Sequence, residues 1–540
     1  MMKKMKLNFI YILSAMAMLQ SCTKDLDVIS EDPRVLSGDA LYSSNNGYKN
    51  ALAGVYGNLS LTGTGGAASS FLRNIDPGTS QFGRCLWNLQ NLTTDEVIWS
   101  YENDQAGSLK ELQRNIWNDR NAILLGMFSR TMATVAFSNE FLRQSTPEKV
   151  ASRNVSAAEA ANIITYRNEV RVLRAMSYYY MLDLFGKAPF VTENDIINFE
   201  SPQYDNQQLF NYIQSELTAV MPNLKAARTN EYGRLDQAVA KMILAKMYLN
   251  AEVYIGTPKY TECVTMCADL IGSGYTINPI YLRNFNAENH NSPEMIFTLQ
   301  SDINVTQNFG ATTVILNGQV GSLEGNGADF GIGGWGGALR LRKQFVQKFD
   351  GAGFATDSRN TIFAGARPIE IANVDQQGQG YILKKYSNKN NAGVARNNGD
   401  FVDTDFPLFR LGDVYLMYAE AQMRASGATN GSNTTNANAT SMGYINALRM
   451  RANNGTMAGN VSQANVTLAF LLDERSRELH WEGHRRQDLI RFDRYTSGTY
   501  NWAWKGNIPS GTSLSSNFKL FPIPAPSLAA NRNLKQNPGY

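Results

Sequence analysis

The stretch "YRNEVRVLRAMSYYYMLDLFGKAP", residues 166–189, predicts a long helix that runs into a buried core. Its second half, "SYYYMLDLF", is apolar on nearly every side, so other elements should surround it. Gly186 and Pro189 then supply the residues that commonly terminate a helix. We therefore predict a helix over 166–185 and, from it, a mainly α-helical fold.

Apolar residues recur at helical spacing farther along the chain, at Leu235, Val239, Met242, Ile243 and Met247. A second helix is expected from Tyr260 to Ile271, where Gly272 ends it. This helix–turn–helix unit is close to a tetratricopeptide repeat in length and pattern. The spacing thus indicates a scaffold built from pairs of helices.

The same spacing returns towards the C-terminus, at Leu411, Val414, Tyr415, Tyr418 and Ala419. A polar tract at 426–441 predicts a flexible surface connection, followed by helices in "MGYINALRMRAN" and from Leu471 to about Glu482. Two blocks of paired helices, about 160–275 and 405–495, suggest one α-solenoid-like core. The Gly- and Asn-rich stretches 60–90 and 303–400 have few periodic segments, and function is expected in such loops.

The N-terminal stretch "MMKKMKLNFIYILSAMAMLQSC" has the pattern of an export signal, with three lysines before a short apolar run. Its end, "LQSC", resembles a bacterial lipobox, in which Cys22 is lipidated after removal of residues 1–21. The alternative is ordinary secretory cleavage beside a stray cysteine. No later stretch has the apolar length of a transmembrane helix, so we expect lipid to hold the chain at a membrane surface.

Removing residues 1–21 takes away three lysines and no acids, so Lys and Arg fall from 50 to 47 against 47 Asp and Glu. A chain with zero formal charge lacks the electrostatic footprint of a nucleic-acid-binding protein. The remaining cysteines, Cys85, Cys263 and Cys267, are odd in number and suggest no disulfide framework. The four-residue spacing of Cys263 and Cys267 could hold a metal ion, but buried thiols are the favoured interpretation.

Two further motifs are weak. "GIGGWGG" (331–337) satisfies G-x-G-x-x-G, but no strand precedes it, and its informative residue is the large ring of Trp335. "LHWEGH" (479–484) places His480 and His484 four residues apart, among alternating glutamates and arginines. A structural salt-bridge network explains this pattern better than a metal site does.

The segment "TTDEVIWSYEND" (93–104) sets four carboxylates, Asp95, Glu96, Glu102 and Asp104, beside Trp99 and Tyr101. Such acids could be the acid and base of a glycosidase, or the wall of a groove that binds a sugar. Adjacent residues point in different directions, so Asp95 and Glu96 are poorly placed to face each other across one glycosidic bond. We favour the wall of a binding groove. A catalytic partner for one of these acids, far away in sequence, remains an alternative.

Five motifs in order carry a resemblance to a known family: the lipobox, "RVLRAMSYYYMLDLFGKAPFV", "DTDFPLFRLGDVYLMYAEAQ", "ERSRELHWEGHRRQDLIRF" and "FPIPAPSLAANRNLKQNPGY". Together they resemble the SusD/RagB family of Bacteroidetes outer-membrane glycan-binding lipoproteins, over one domain spanning 22–540. The resemblance implies a tetratricopeptide-like scaffold of helical pairs and a loop-rich irregular half carrying short strands. It also implies a non-catalytic role and a TonB-dependent, SusC-like porin as partner. "TKDLD" (23–27) resembles the signal for export to the cell exterior.

Within the family, the segment 82–104 is similar to the ligand segment of the starch-binding member. That similarity implies glycan contacts on the loops about 80–104 and 303–340, at Arg84, Tyr101, Asp104, Phe309 and Trp335, with Trp99 beside them. Three rings set along an arc would fit a curved α-glucan. Tyr101 and Phe309 replace other aromatic residues of that member, so a second hypothesis is that the ligand is another glycan or a peptide. A third hypothesis is that the protein is a glycoside hydrolase. No cofactor is expected, although the resemblance would allow a structural calcium ion.

Overall fold

A computed structural model describes residues 38–540 except 45, 74, 197–199, 321–326 and 397–398. The predicted signal peptide (1–21) and Cys22 therefore lie outside the described residues. The prediction of a mainly α-helical fold with short strands is confirmed. The α-helices are α1 (Gly38–Ser43), α2 (Gly47–Ser60), α3 (Phe82–Trp87), α4 (Ser108–Gln113), α5 (Ala122–Gln144), α6 (Pro147–Ser152), α7 (Ala157–Phe185), α8 (Asn206–Val220), α9 (Gln237–Leu249), α10 (Ala251–Ile255), α11 (Tyr260–Ile271), α12 (Ala311–Gln319), α13 (Lys343–Val346), α14 (Leu411–Ala425), α15 (Ala439–Ala452), α16 (Leu468–Leu479), α17 (Arg485–Arg491) and α18 (Ala525–Ala530).

The strands form two-stranded antiparallel ladders: β1 (Val97–Trp99) with β5 (Leu339–Leu341), β2 (Ala188–Pro189) with β3 (Gln203–Tyr204), β4 (Met295–Leu299) with β8 (Phe406–Arg410), and β6 (Ile362–Phe363) with β7 (Ile382–Leu383). In the first ladder Trp99 lies opposite Leu339. This pairing brings the segment 93–104 next to the glycine-rich stretch 331–337, far away in sequence.

Helices stack in a continuous series. Helix α5 packs on α7 and α7 on α8, while α9 packs on α11. Helix α11 of the first predicted block then packs extensively against α14 of the second, and α14 against α15 and α16. The paired helices expected at 235–271 and after 411 are therefore present and share one hydrophobic core.

Helix α7 illustrates how the local sequence sets these elements. Ser156 caps its start by accepting a hydrogen bond from the Glu159 backbone N–H at 3.2 Å, so the helix begins nine residues before the predicted Tyr166. Its end at Phe185 is as predicted, because Gly186 adopts the left-handed conformation (φ 67°). The apolar second half is buried, as expected.

The predicted salt-bridge network around 474–491 is confirmed. Glu478 accepts hydrogen bonds from Arg410 Nη1 at 2.7 Å and Arg451 Nη2 at 2.6 Å, with all three side chains buried. His480 and His484 lie inside the same core, and burial lowers the pKa of His484 to about 3. The glutamate and the two arginines tie α15 and α16 to β8, so their role is structural.

Cys85, Cys263 and Cys267 are free, buried thiols, in line with the favoured interpretation. Among the described residues, no group of three or more His, Cys, Asp or Glu side chains is placed to hold a metal ion. In this part of the chain, no helix combines the length and apolar character needed to cross a membrane. The tract 426–441 is bonded to its neighbours, since Asn436 Nδ2 donates to the carbonyls of Met423 and Ser426 at 3.0 Å each.

Candidate functional site

The acids Asp95 and Glu96 belong to the core, which corrects the interpretation of this pair as part of a binding wall. Both are at most 1% exposed. Asp95 accepts two hydrogen bonds of 2.7 Å from Arg485, and although burial opposes its ionisation, Arg485 holds its pKa well below the usual value. Glu96 accepts from Asn91 Nδ2 at 2.7 Å, and burial raises the pKa of Glu96 to about 7. Neither carboxylate can reach a substrate.

The other two acids of the segment differ from each other. Glu102 is buried and receives two hydrogen bonds of 2.6 Å from Arg114. Asp104 is exposed and accepts a hydrogen bond from Trp99 Nε1 at 2.9 Å. Trp99 itself is only 5% exposed and packs edge-on beneath Tyr101. Trp99 therefore supports the site from below, and its expected place among the glycan-contacting residues is corrected accordingly.

Four aromatic side chains from separate loops form one partly exposed surface, here called the aromatic wall: Tyr101, Phe309, Trp335 and Phe401. Tyr101 is 39% exposed, and the other three are half-buried. The Phe309 and Trp335 ring centroids are 6.3 Å apart with planes tilted by 42°. Phe401, which the sequence analysis missed, lies 5.0 Å from Phe309 with a tilt of 46°. Because neighbouring planes are inclined, the wall does not present one flat face.

Hydrogen bonds fix the position of the wall. Tyr101 Oη donates to the backbone carbonyl of Trp335 at 3.3 Å, and Trp335 Nε1 donates to Asp400 Oδ1 at 3.0 Å. The buried Asn317 of α12 accepts a hydrogen bond from the backbone N–H of Trp335 through its backbone carbonyl at 3.0 Å. Its side-chain Nδ2 donates to the backbone carbonyl of Asp400 at 2.8 Å. A Cβ at Gly336 would lie 3.1 Å from Tyr101 Oη, so glycine permits this close approach.

Arg84 lies at the base of this surface. Its side chain is 9% exposed, and its guanidinium forms no hydrogen bond with the described residues. A Cβ built on Gly78 would lie 3.4 Å from Arg84 Nη1 and 2.6 Å from Phe309 Cβ, so the guanidinium and the ring flank the same backbone. Burial lowers the pKa of Arg84, and the charges of Asp76 and Asp104 partly oppose that effect. A buried cation with free donors is available to hydrogen-bond a ligand.

The site therefore combines aromatic faces with a few polar groups and has no paired acids. Pyranose rings present C–H faces that pack on aromatic planes, and their hydroxyl groups accept hydrogen bonds from guanidinium and donate them to carboxylates. Of the residues expected from the sequence, Arg84, Tyr101, Asp104, Phe309 and Trp335 come together, and Trp99 lies behind them. The hydroxyls and ring faces of a sugar would match these groups.

Comparison with known proteins agrees with this architecture. The SusD family model matches residues 342–540. The Starch-binding protein SusD of Bacteroides thetaiotaomicron is 30% identical over 569 residues, which cover 96% of each chain. The SusD-like protein P25 of Formosa agariphila is 25% identical and covers 96% of this chain and 97% of its own.

Solved structures share the fold. A SusD homolog from Bacteroides thetaiotaomicron gives a TM-score of 0.69 at 19% identity, covering 93% of this chain and 98% of its own. Surface glycan-binding protein A of the same organism, in complex with laminarihexaose, gives 0.67 at 20% identity, covering 91% and 99%. With a relative 30% identical along nearly the whole of both chains, the protein belongs to the SusD family.

Proposed function

We propose that this protein is a non-catalytic glycan receptor whose aromatic wall binds α-glucans such as malto-oligosaccharides. The observation that carries the proposal is the inclination of neighbouring ring planes in the wall. The inclined planes of Phe309 and Trp335, 42° apart, suit a ligand that bends from one sugar unit to the next. A flat β-linked chain would meet two such rings less well than a curved α-glucan helix.

The polar groups support the same role. Arg84 offers unpaired donors beside Phe309, and Asp104 offers a carboxylate next to Tyr101. Hydrogen bonds from a charged donor contribute roughly 1.5–3 kcal/mol when the group is otherwise unpaired. Asp95 and Glu96 are buried in the core and therefore cannot act as an acid–base pair on a ligand at the wall. The similarity to a protein named for starch binding favours α-glucans as the first choice.

The cellular setting is proposed from the sequence. Lipidation at Cys22 would hold the protein on the outer membrane, with the domain facing the cell exterior. A TonB-dependent, SusC-like porin is the proposed partner that receives the captured oligosaccharide. Both proposals rest on the resemblance of the N-terminal stretch and of the whole chain to the family.

The alternative is the same role with another glycan or with a peptide. Tyr101 and Phe309 stand where the starch-binding member is expected to carry other rings, and a structural neighbour is described with laminarihexaose, a different glucan. A panel of ligands separates these alternatives: isothermal titration calorimetry with maltoheptaose, laminarihexaose and a peptide mixture. Tight binding of maltoheptaose alone supports the proposal, whereas preference for another ligand contradicts it.

The third hypothesis, a glycoside hydrolase, needs a separate assay. Purified protein incubated with amylopectin should release no reducing ends above the level of a buffer control. A time-dependent rise in reducing ends would contradict the non-catalytic proposal.

A further inference from the structure

A cavity of about 370 Å³ lies between helix α2, the loop 231–234 and strand β4. Its size is within the range of small-molecule pockets. Val305 and Thr306 also line it, and the same loop continues to Phe309 of the aromatic wall. The cavity and the aromatic wall therefore lie on a shared loop, although they are lined by different side chains.

Tyr232 offers an exposed ring at this cavity. It is 47% exposed, yet its hydroxyl is fixed inside the protein by Asp405 and by Thr298 Oγ1 at 2.7 Å. Asp405 in turn accepts a hydrogen bond from the Ser301 backbone N–H at 2.8 Å. The ring is thus held in one orientation before any ligand arrives, which lowers the entropic cost of stacking on it.

Several polar groups in the cavity have no protein partner. The side chains of Ser60 and Gln300 line it and form no hydrogen bond with other described residues. Thr306 Oγ1 is also without a partner among the described residues, but it is buried and does not face the cavity. The Ser60 hydroxyl and the Gln300 amide can each donate and accept hydrogen bonds, so both are available to a polar ligand in the cavity.

The charged side chains of the lining, together with the buried Glu169 beside it, neutralise one another. Lys49 lies 3.1 Å from Glu231, and Arg234 lies 3.0 Å from Glu231 and 2.6 Å from Glu169. No net charge is left for an ionic ligand to pair with. A ligand that is uncharged, rich in hydroxyl groups and able to pack on a ring fits these conditions.

We propose that this cavity is a second glycan subsite, which takes a neutral hexose unit stacked on Tyr232 and hydrogen-bonded by Gln300 and Ser60. The inference rests on the proposed function as a glycan receptor and adds a second point of attachment. A long or branched glucan could occupy the cavity and the aromatic wall together. Two linked attachments raise the apparent affinity for a polymer beyond that of either one.

Two glycines of helix α2 provide a matched pair of variants. A Cβ on Gly57, which lines the cavity, would have only Leu61 Cδ1 within 4 Å, at 3.9 Å. A Cβ on Gly54 would have nothing within 4 Å, and Gly54 does not line this cavity. Gly57→Leu should therefore fill the cavity, while Gly54→Leu adds the same side chain to the same helix outside it. Both replace a helical glycine, so neither should destabilise the fold.

The test uses maltose and saturation-transfer-difference NMR. In a protein carrying Trp335→Ala and Tyr101→Ala, the maltose signal should persist through the cavity. Adding Gly57→Leu or Tyr232→Ala should abolish the signal, and adding Gly54→Leu should keep it. On affinity gels, Gly57→Leu alone should weaken amylopectin binding by about tenfold.

The outcomes separate the two proposals. If the wild type binds maltoheptaose but the variant without Tyr101 and Trp335 binds no maltose, the cavity is no subsite and the proposed function stands. If Gly57→Leu leaves the maltose signal of that variant unchanged, the inference is also overturned. If the wild type binds neither maltose nor maltoheptaose, the α-glucan proposal and this inference fail together.

Discussion

The phenol of Tyr101 donates a hydrogen bond of 3.3 Å to the backbone carbonyl of Trp335, joining two loops that are 234 residues apart in sequence. The ladder between β1 and β5 brings those loops together, because Trp99, two residues before Tyr101, pairs with Leu339, four residues after Trp335. Tyr101 therefore has two roles, a ring face for a ligand and a hydrogen bond that positions Trp335.

Tyr101 variants should separate these two roles. Tyr101→Phe keeps the ring and loses one partly exposed hydrogen bond, so maltoheptaose affinity should fall about threefold, the effect of roughly 0.7 kcal/mol. Tyr101→Ala also removes the ring face and should weaken binding about tenfold or more. Calorimetry on both variants measures the difference, and equal losses would assign the whole effect to the hydrogen bond.

Arg84→Met should weaken glycan binding without destabilising the protein. The buried guanidinium has no partner among the described residues, so its removal takes away a ligand contact and no internal hydrogen bond. Affinity should fall about tenfold or more, as for a hydrogen bond to a charged group. The melting temperature should stay constant or rise, since an unpaired buried charge costs free energy.

The exposed Arg120 provides the control for Arg84, and Arg120→Met should change neither the glycan affinity nor the melting temperature. A sharp fall in the melting temperature of Arg84→Met with unchanged affinity would mean that Arg84 is structural.

Asp95→Asn should destabilise the protein and leave glycan affinity unchanged. The substitution leaves Arg485 buried without its carboxylate, and breaking such a pair costs about 3–5 kcal/mol of unfolding free energy. Chemical denaturation of the variant, compared with Asp375→Asn at an exposed position, measures the loss. Abolished glycan binding at unchanged stability would instead return Asp95 to the binding site.

The helical scaffold could largely be predicted from the sequence, because apolar periodicity and terminating glycines are local. Helix α11 begins and ends where expected, at Tyr260 and Ile271, and α7 ends at Phe185 as predicted. Helix α5 was missed, since its polar residues Arg130 and Thr134 are buried in hydrogen bonds and interrupt the apolar pattern. The spacing of apolar residues cannot show that a polar side chain is buried because a distant residue hydrogen-bonds it.

The site was only partly predictable, since burial decides the role of each side chain. Asp95 and Asp104 are carboxylates of the same short segment, yet one is paired with Arg485 in the core and the other is exposed. Phe401 joins the wall through a contact with Phe309, 92 positions earlier, which no local pattern indicates. Trp99 and Tyr101 lie two residues apart, and only the second reaches the surface.

Cys22→Ala should release the protein from membranes without affecting its fold. Stable anchoring takes more than one acyl chain, as on a lipidated N-terminal cysteine, and the variant has no site for them. Fractionation of cells should find the variant in the soluble fraction, with a melting temperature equal to that of the wild-type domain. Recovery in the membrane pellet at wild-type level would contradict the lipoprotein assignment.

The most direct test of the central claim is the affinity of Trp335→Ala for maltoheptaose, measured by isothermal titration calorimetry. Trp335 has the largest face in the aromatic wall, and truncating such an anchor costs on the order of 2 kcal/mol, or roughly a thirtyfold loss of affinity. Trp335→Phe, which keeps a ring, should lose less, and both melting temperatures should stay near wild type because the side chain is only half-buried. Wild-type affinity in Trp335→Ala would contradict the account of the aromatic wall as the glycan-binding surface.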